Sequence, residues 1–204
     1  MKTLVAIPCM DMMHTRFVGS CLAMRKTSEV AFSLTESSLI YDARNTLAQK
    51  AVNEGFDRVL WLDSDMTFSP DLLERFSERL DTGLEFVSGL YFRRREPIAP
   101  VIFKECGSYE KDGNPVPFAK AYTDYPDGLF EIAACGFGGV MMTTALINEV
   151  GEKFGLPFSP ILGFGEDLSF CCKVARLGKK MYCDSSIKMG HVGYKTFSES
   201  DYMR

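Results

Sequence analysis

Apolar and polar residues change period repeatedly along this chain, and each change marks an element. Leu4-Val5-Ala6-Ile7 are continuously apolar and stop at Pro8, the pattern of a strand buried on both faces that runs into a loop. Residues 15–24 then predict a helix and 29–34 a second strand. Over 39–54, Ile40, Ala43, Leu47 and Ala51 share one helical face, and Gly55 stands where a C-terminal cap belongs. Arg44 and Asn45 lie beside that face, with Arg44 placed to project toward the strand ends. Val59-Leu60-Trp61-Leu62 predict a third strand, and Ser69-Pro70 open a helix with Leu72, Leu73, Phe76 and Leu80 at helical spacing. Residues 84–90 complete a fourth strand.

From 93 to 127 the pattern breaks. Pro97, Pro100, Gly107, Gly113, Pro115, Pro117 and Pro126 interrupt short β-like runs, which predicts hairpins and loops rather than a separate domain. Strands at 129–134 and 140–143 flank Cys135-Gly136-Phe137-Gly138-Gly139. A helix follows over 145–154, and another begins near Glu166-Asp167, carries Leu168, Cys171, Cys172 and Ala175 inward and stops at Gly178. Short strands at 181–183 and 187–189 lead to Gly190-His191-Val192-Gly193-Tyr194-Lys195, where glycines on both sides of His191 suggest exposed, mobile backbone. The alternation of strands and helices implies an α/β protein. Its expected form is a Rossmann-like open, mostly parallel sheet flanked by helices, with ligands at the carboxyl ends of the strands. One domain over 1–204 is expected, with a small β-rich excursion at 93–127 and a C-terminal tail, 191–204, near the site.

Composition narrows the function. A chain of 204 residues with formal net charge -4 and no long basic run argues against nucleic acid as a partner. The seven cysteines include no Cys-x-x-Cys pair, so they read as reduced core thiols of a cytoplasmic protein, and zinc is not expected. The apolar start is cut short by Pro8, Asp11 and His14 and does not match a signal peptide. No apolar run approaches the ~20 residues that span a bilayer, so no integral membrane segment is expected.

The candidate chemistry lies at element ends. Asp63 and Asp65 stand one residue apart where a buried strand leaves the sheet, and neighbouring carboxylates repel unless a cation or proton lies between them. A divalent metal resolves this; an ordinary turn in which both bond local amides is the alternative. Glu166 and Asp167 sit at a helix N-terminus, where the dipole favours ionised carboxylates and where acidic caps are also common. The glycines at 136, 138 and 139 suit close backbone approach to a ligand, or a bulge or tight turn. Arg93-Arg94-Arg95 could hold an anionic ligand but read first as solvated surface, and Trp61 and Phe68 could stack on a ligand ring but are expected in core packing.

Taken in order, the strand ending at Pro8, Ala43-Arg44-Asn45, Asp63-Ser64-Asp65, Gly138-Gly139, Glu166-Asp167 and His191 resemble glycosyltransferases of the GT-A fold, in particular the family 2-like group with its DXD motif. The resemblance covers most of the chain. It implies transfer of a sugar from a nucleotide-diphosphate sugar, by default a UDP-sugar, to a saccharide or other hydroxyl acceptor, with inversion. Asp63, Asp65 and His191 would hold Mn²⁺ or Mg²⁺. Arg44 would face the donor phosphates, Pro8 would line the nucleoside pocket, and Asp63 would also reach the donor. Gly138 and Gly139 would let the chain pass close to donor sugar and acceptor. Asp167 would be the catalytic base, with Glu166 as the other candidate. Where many members carry an Asp-Asp-Gly-Ser type sequence after the second strand, this chain has Thr35-Glu36-Ser37-Ser38.

Other readings compete. Asp63-Ser64-Asp65-Met66-Thr67 also fits the motif of haloacid-dehalogenase-like phosphatases, with Asp63 as nucleophile and Asp65 as acid/base, although that family carries the motif after its first strand. A non-catalytic carbohydrate-binding module on the same fold is the non-enzyme alternative.

Overall fold

The computed structural model describes residues 1–26, 29–193 and 196–202. In chain order these form β1 (Thr3–Cys9), α1 (Thr15–Ala23), β2 (Val30–Glu36), α2 (Ile40–Asn53), β3 (Arg58–Leu62), β4 (Met66–Thr67), α3 (Leu72–Asp81) and β5 (Phe86–Leu90). The second half contains β6 (Ile102–Lys111), β7 (Asn114–Ala121), β8 (Leu129–Ile132), β9 (Ala134–Cys135), β10 (Gly139–Thr143), α4 (Thr144–Phe154), α5 (Glu166–Arg176), β11 (Met181–Lys188), β12 (Gly190–Val192), β13 (Thr196–Phe197) and α6 (Glu199–Tyr202). Tyr194 and Lys195, which the sequence joins to the His191 run, and the last two residues of the tail lie outside the described residues.

A seven-stranded sheet in the order β2-β1-β3-β10-β5-β11-β8 is the frame. β1 pairs parallel with β2 and β3, and β5 with β11, while β10 and β8 run antiparallel to their neighbours. The sheet is thus largely parallel, with β10 inserted between its two parallel groups.

Because neighbouring strand residues point to opposite faces, the continuous apolar runs feed two cores at once. Leu4, Ala6, Val59 and Trp61 face a core built with α2, α4 and α5. Val5, Ile7, Leu60 and Leu62 face one built with α1 and α3. Burial on both faces explains why these strands show no alternation. The helices end as their sequence implies, since Gly55 and Gly178 have φ of 66° and 72°, a left-handed conformation that glycine adopts without steric cost.

Four details differ from the sequence reading. Ile40 is exposed at the rim of a cleft, and Ala175 is exposed on α5; α5 instead buries Phe170, Cys171, Val174 and Lys173. The Lys173 ammonium donates to the carbonyls of Leu156, Pro157 and Ser159 at 3.0, 3.0 and 2.8 Å, so a charged residue serves as a loop clamp. The two short strands at 181–183 and 187–189 are one strand, β11, with a register shift between Asp184 and Lys188. Its polar middle stays in the strand because Asp184 binds Arg79 and Ser186, while the Ser185 amide donates to Gly128. Finally, His191 is not on mobile backbone: β12 is the central strand of a small sheet, β13-β12-β4, and the His191 side chain is only 17% exposed.

The excursion is a long antiparallel hairpin, β6–β7, anchored to the body through β6 and β9. Among the described residues, no helix is long and apolar enough to cross a membrane.

Candidate active site

A cleft of about 460 Å³ opens at the carboxyl ends of β1 and β3. Pro8 and Cys9 line it from the end of β1, Asp63 and Asp65 from the turn after β3, Arg44 from α2, Glu166 and Asp167 from α5, and His191 from β12. The fold therefore brings together all of the sequence candidates except Gly138 and Gly139. Those two glycines pack under other side chains: a Cβ on Gly138 would meet Met66 and Tyr91, and one on Gly139 would meet the Met189 thioether. The Gly138 amide donates to the Tyr91 hydroxyl at 3.1 Å, and its carbonyl accepts from the Asp63 amide at 3.4 Å, so this segment props the Asp63 turn from behind.

The turn itself is closed by the Met66 amide donating to the Asp63 carbonyl at 3.2 Å. β4 then pairs with β12, opposing Met66 to His191, and the Val192 amide donates to the Asp65 carbonyl at 2.8 Å. Residues more than a hundred positions apart are thereby locked into one wall. His191 Nδ1 lies 3.0 Å from the Phe92 carbonyl and Nε2 lies 3.4 Å from Asp65 Oδ2. A ring nitrogen tied to a carbonyl fixes the imidazole with its other nitrogen toward the carboxylate, the orientation found for metal-binding histidines.

The acidic groups differ in how they are held. Arg44, 2% exposed, donates through Nη2 to Asp63 at 2.7 Å and through Nε to Glu166 at 3.1 Å. Its guanidinium also lies 5.7 Å from the Trp61 ring and 5.4 Å from Phe137, both within cation–π range. Burial opposes its charge, but the two carboxylates outweigh this and raise its pKa. Burial lifts Asp63 above the ordinary range, with Arg44 opposing. Burial also acts to raise Asp65, but the contacts with His191 and Arg94 outweigh it, and the net shift is downward. Asp167 is pushed up to about 6, first by burial and then by the like charge of Glu166, while its Oδ1 accepts from the Leu168 amide at 2.7 Å.

Arg94 extends the reading of the Arg93-Arg94-Arg95 run. Arg94 and Arg95 are exposed as expected, but Arg94 Nη1 also lies 2.5 Å from Asp65 Oδ2 and 3.2 Å from the Val192 carbonyl, and Arg93 lines the cleft. Tyr91, packed edge-on to His191 with ring centroids 5.7 Å apart, is a further wall residue. The arginine run was visible in the sequence; only the folding of the segment after β5 against β12 brings it to Asp65. Nothing in the local pattern distinguishes Tyr91 from a core aromatic. Trp61 is fully buried, as expected of core packing.

The donor set suits a hard divalent cation in kind: carboxylate oxygens with one imidazole nitrogen accommodate Mn²⁺ or Mg²⁺. Asp65 and His191 already face each other, and a guanidinium lies on Asp65 where a cation is favoured. Asp63 is turned toward Arg44, and among the described residues no three His, Cys, Asp or Glu side chains are assembled as a ready metal cage.

No protein-family model and no curated protein matches the sequence. Solved structures do match, and the chain has the GT-A fold. A197 from STIV aligns with a TM-score of 0.68 over 95% of this chain and 86% of its own, at 18% identity. GalNAc-T7, solved with UDP, GalNAc and Mn²⁺, aligns at 0.64 over 94% of this chain, at 12% identity. Residues 1–349 of TarS from S. aureus align at 0.55 over 91%, at 13% identity. The chain spans 44% of the GalNAc-T7 chain and 58% of the TarS chain.

Proposed function

We propose that this cleft transfers a sugar from a nucleotide-diphosphate donor to an acceptor hydroxyl, with inversion at the anomeric carbon. The observation that carries the proposal is that two unlike acidic groups line one cleft: Asp65 held ionised beside His191 and Arg94, and Asp167 with its pKa raised to about 6. The likeness to glycosyltransferase structures, one of them with UDP and Mn²⁺, supports the same reading.

Asp63, Asp65 and His191 would hold Mn²⁺ or Mg²⁺. When bound there, the ion supplies positive charge against the departing diphosphate. Arg94, released from Asp65, turns its guanidinium to the donor phosphates, for which its planar donors are suited. Pro8 lines the nucleoside end of the cleft, and Gly138 and Gly139 hold the Asp63 turn in place. Arg44 acts through Asp63 and Glu166 and positions both. Asp167 takes the acceptor proton: Glu166 is bonded to Arg44 at 3.1 Å, whereas among the described residues no cation forms an ion pair with Asp167, on which Arg44 acts only at longer range. A pKa near 6 leaves Asp167 ionised at neutral pH yet basic enough for proton transfer.

The test is a panel of nucleotide sugars with Mn²⁺, read by nucleoside diphosphate release, alongside thermal shifts with Mn²⁺ and nucleoside diphosphates. A shift of several degrees and slow donor hydrolysis are expected, since a ligand that binds only the native state stabilises it. Absence of both, together with a phosphatase activity lost in Asp63→Asn, would overturn the proposal.

A further inference from the structure

The sulfurs of Cys106 and Cys172 lie 3.6 Å apart, although 66 positions separate them in the chain. Cys106 sits on β6 of the hairpin, half-buried; Cys172 sits on α5 and is 8% exposed. We propose that Cys106 and Cys172 form a reversible disulfide that staples the β6–β7 hairpin to the helix bearing Asp167. This proposal does not depend on the glycosyl-transfer reading.

Three observations favour it. The two thiols are in direct contact, so a bond needs the sulfurs to approach by less than 2 Å toward the normal ~2.05 Å separation, not a rearrangement of the fold. Both elements are already held to β9, β6 by pairing through Ile102 and Phe103 and α5 by the Cys171 thiol, which donates to the Cys135 carbonyl at 3.7 Å. The pair is also chemically poised. The contact between the two thiols, in which either sulfur can donate, lowers Cys172 against the opposing effect of burial, with Arg176 adding to the lowering, while Cys106 is raised. The nucleophilic thiolate is therefore Cys172.

The oxidant is a small-molecule disulfide such as glutathione disulfide. The Cys172 thiolate attacks one sulfur, breaks the S–S bond and expels one thiolate, leaving a mixed disulfide. Cys106, on losing its proton, attacks the Cys172 sulfur and expels the second. Two protein thiols become one disulfide, two electrons pass to the oxidant, and two protons end on the released thiols.

The staple would restrain the segment around the acidic pair. Cys172 adjoins Lys173, whose ammonium clamps the 156–159 loop. Pro117 of the hairpin lies where a Cβ on Gly163 would point, 3.4 Å away, so the hairpin also leans on the loop that enters α5.

The experiment treats the full chain with glutathione disulfide at pH 7.5 and counts free thiols in denaturant. Two fewer than the seven cysteines are expected. Non-reducing peptide mass spectrometry should find the peptides of Cys106 and Cys172 joined, about 2 Da below the sum of their reduced masses. The melting temperature should rise by roughly 5–10 °C and return with dithiothreitol. In Cys106→Ser, Cys172 should instead stop at a glutathione adduct. An unchanged thiol count in the wild type, a different cysteine pair in the spectrum, or a stable glutathione adduct on wild-type Cys172 would each overturn the proposal.

Discussion

Two acidic pairs line one cleft, and Asp65 of the first and Asp167 of the second are in opposite electrostatic states. At the end of β3, Asp65 meets an imidazole and a guanidinium, and its carboxyl is held below the ordinary range despite burial. At the start of α5, Asp167 is buried beside the Glu166 carboxylate, with the Leu168 amide and the more distant Arg44 as weaker opposing influences, and its carboxyl is raised to about 6. The residue type is the same in both places. What differs is the company supplied by other elements, and that company divides the chemistry: one carboxylate is suited to holding a cation, the other to moving a proton.

That contrast is sharpest in catalysis. Asp167→Asn should lower the transfer rate by about 10²–10⁴ while nucleoside diphosphate affinity, measured by calorimetry, changes little. In the wild type, the acid limb of the rate profile should rise through a pH of about 6 as Asp167 loses its proton. An unchanged rate in the variant would remove Asp167 as the base.

Arg44 joins the two sides, so its loss should affect both. Arg44→Met leaves Asp63 and Glu166 without their shared cation; stripping one partner from a fully buried pair costs about 3–5 kcal/mol, and with the Asp63 side chain 34% exposed a loss of about 2–3 kcal/mol is expected. Urea denaturation should show that drop at neutral pH. The drop should shrink in acid as the abandoned carboxylates bind protons.

Arg94 is half-exposed, and its effect should be smaller and two-signed. Arg94→Ala should strengthen Mn²⁺ binding in the absence of nucleotide, because the competing guanidinium is gone. It should weaken nucleoside diphosphate binding by roughly tenfold. Electron paramagnetic resonance of Mn²⁺ and nucleotide calorimetry separate the two. Changes of the same sign in both would mean that Arg94 merely shapes the loop.

The smallest expected effect is on stability. Because the folded pKa of Asp167 lies above its unfolded value, its contribution to stability is fully present below pH about 4 and is lost as pH rises through about 6. Asp167→Asn should therefore be more stable than the wild type at pH 7.5, by on the order of 1 kcal/mol after allowing for partial solvation. The two proteins should converge near pH 3.5. A variant less stable at pH 7.5 would show that the attraction of the Asp167 charge to the Leu168 amide and Arg44 outweighs the cost of burying it.

Much of this site was legible in the chain. Continuous apolar runs ending at Pro8 and Asp63 mark strands buried on both faces, and such strands can leave the sheet only at their ends, so Asp63 and Asp65 had to emerge together. Gly165 and the apolar spacing of α5 likewise put Glu166 and Asp167 at a helix start. The run from Asp184 to Ser186 misled because polar residues read as a break, whereas the fold satisfies them with Arg79 and Gly128 and keeps the strand intact. His191 misled for a related reason: flanking glycines suggest mobility, but a Cβ on Gly190 would meet Thr67 and Thr196, and glycine there lets three strands pack closely.

The sequence by itself determined the α/β frame and the two carboxylate pairs, because periodicity and chain termini of elements are local properties. Only the tertiary structure decided what each carboxylate faces. The Arg44 bridge, the Arg94 contact with Asp65 and the Cys106–Cys172 contact each join segments distant in sequence, and charge and redox state depend on separations of a few ångströms that no local pattern encodes.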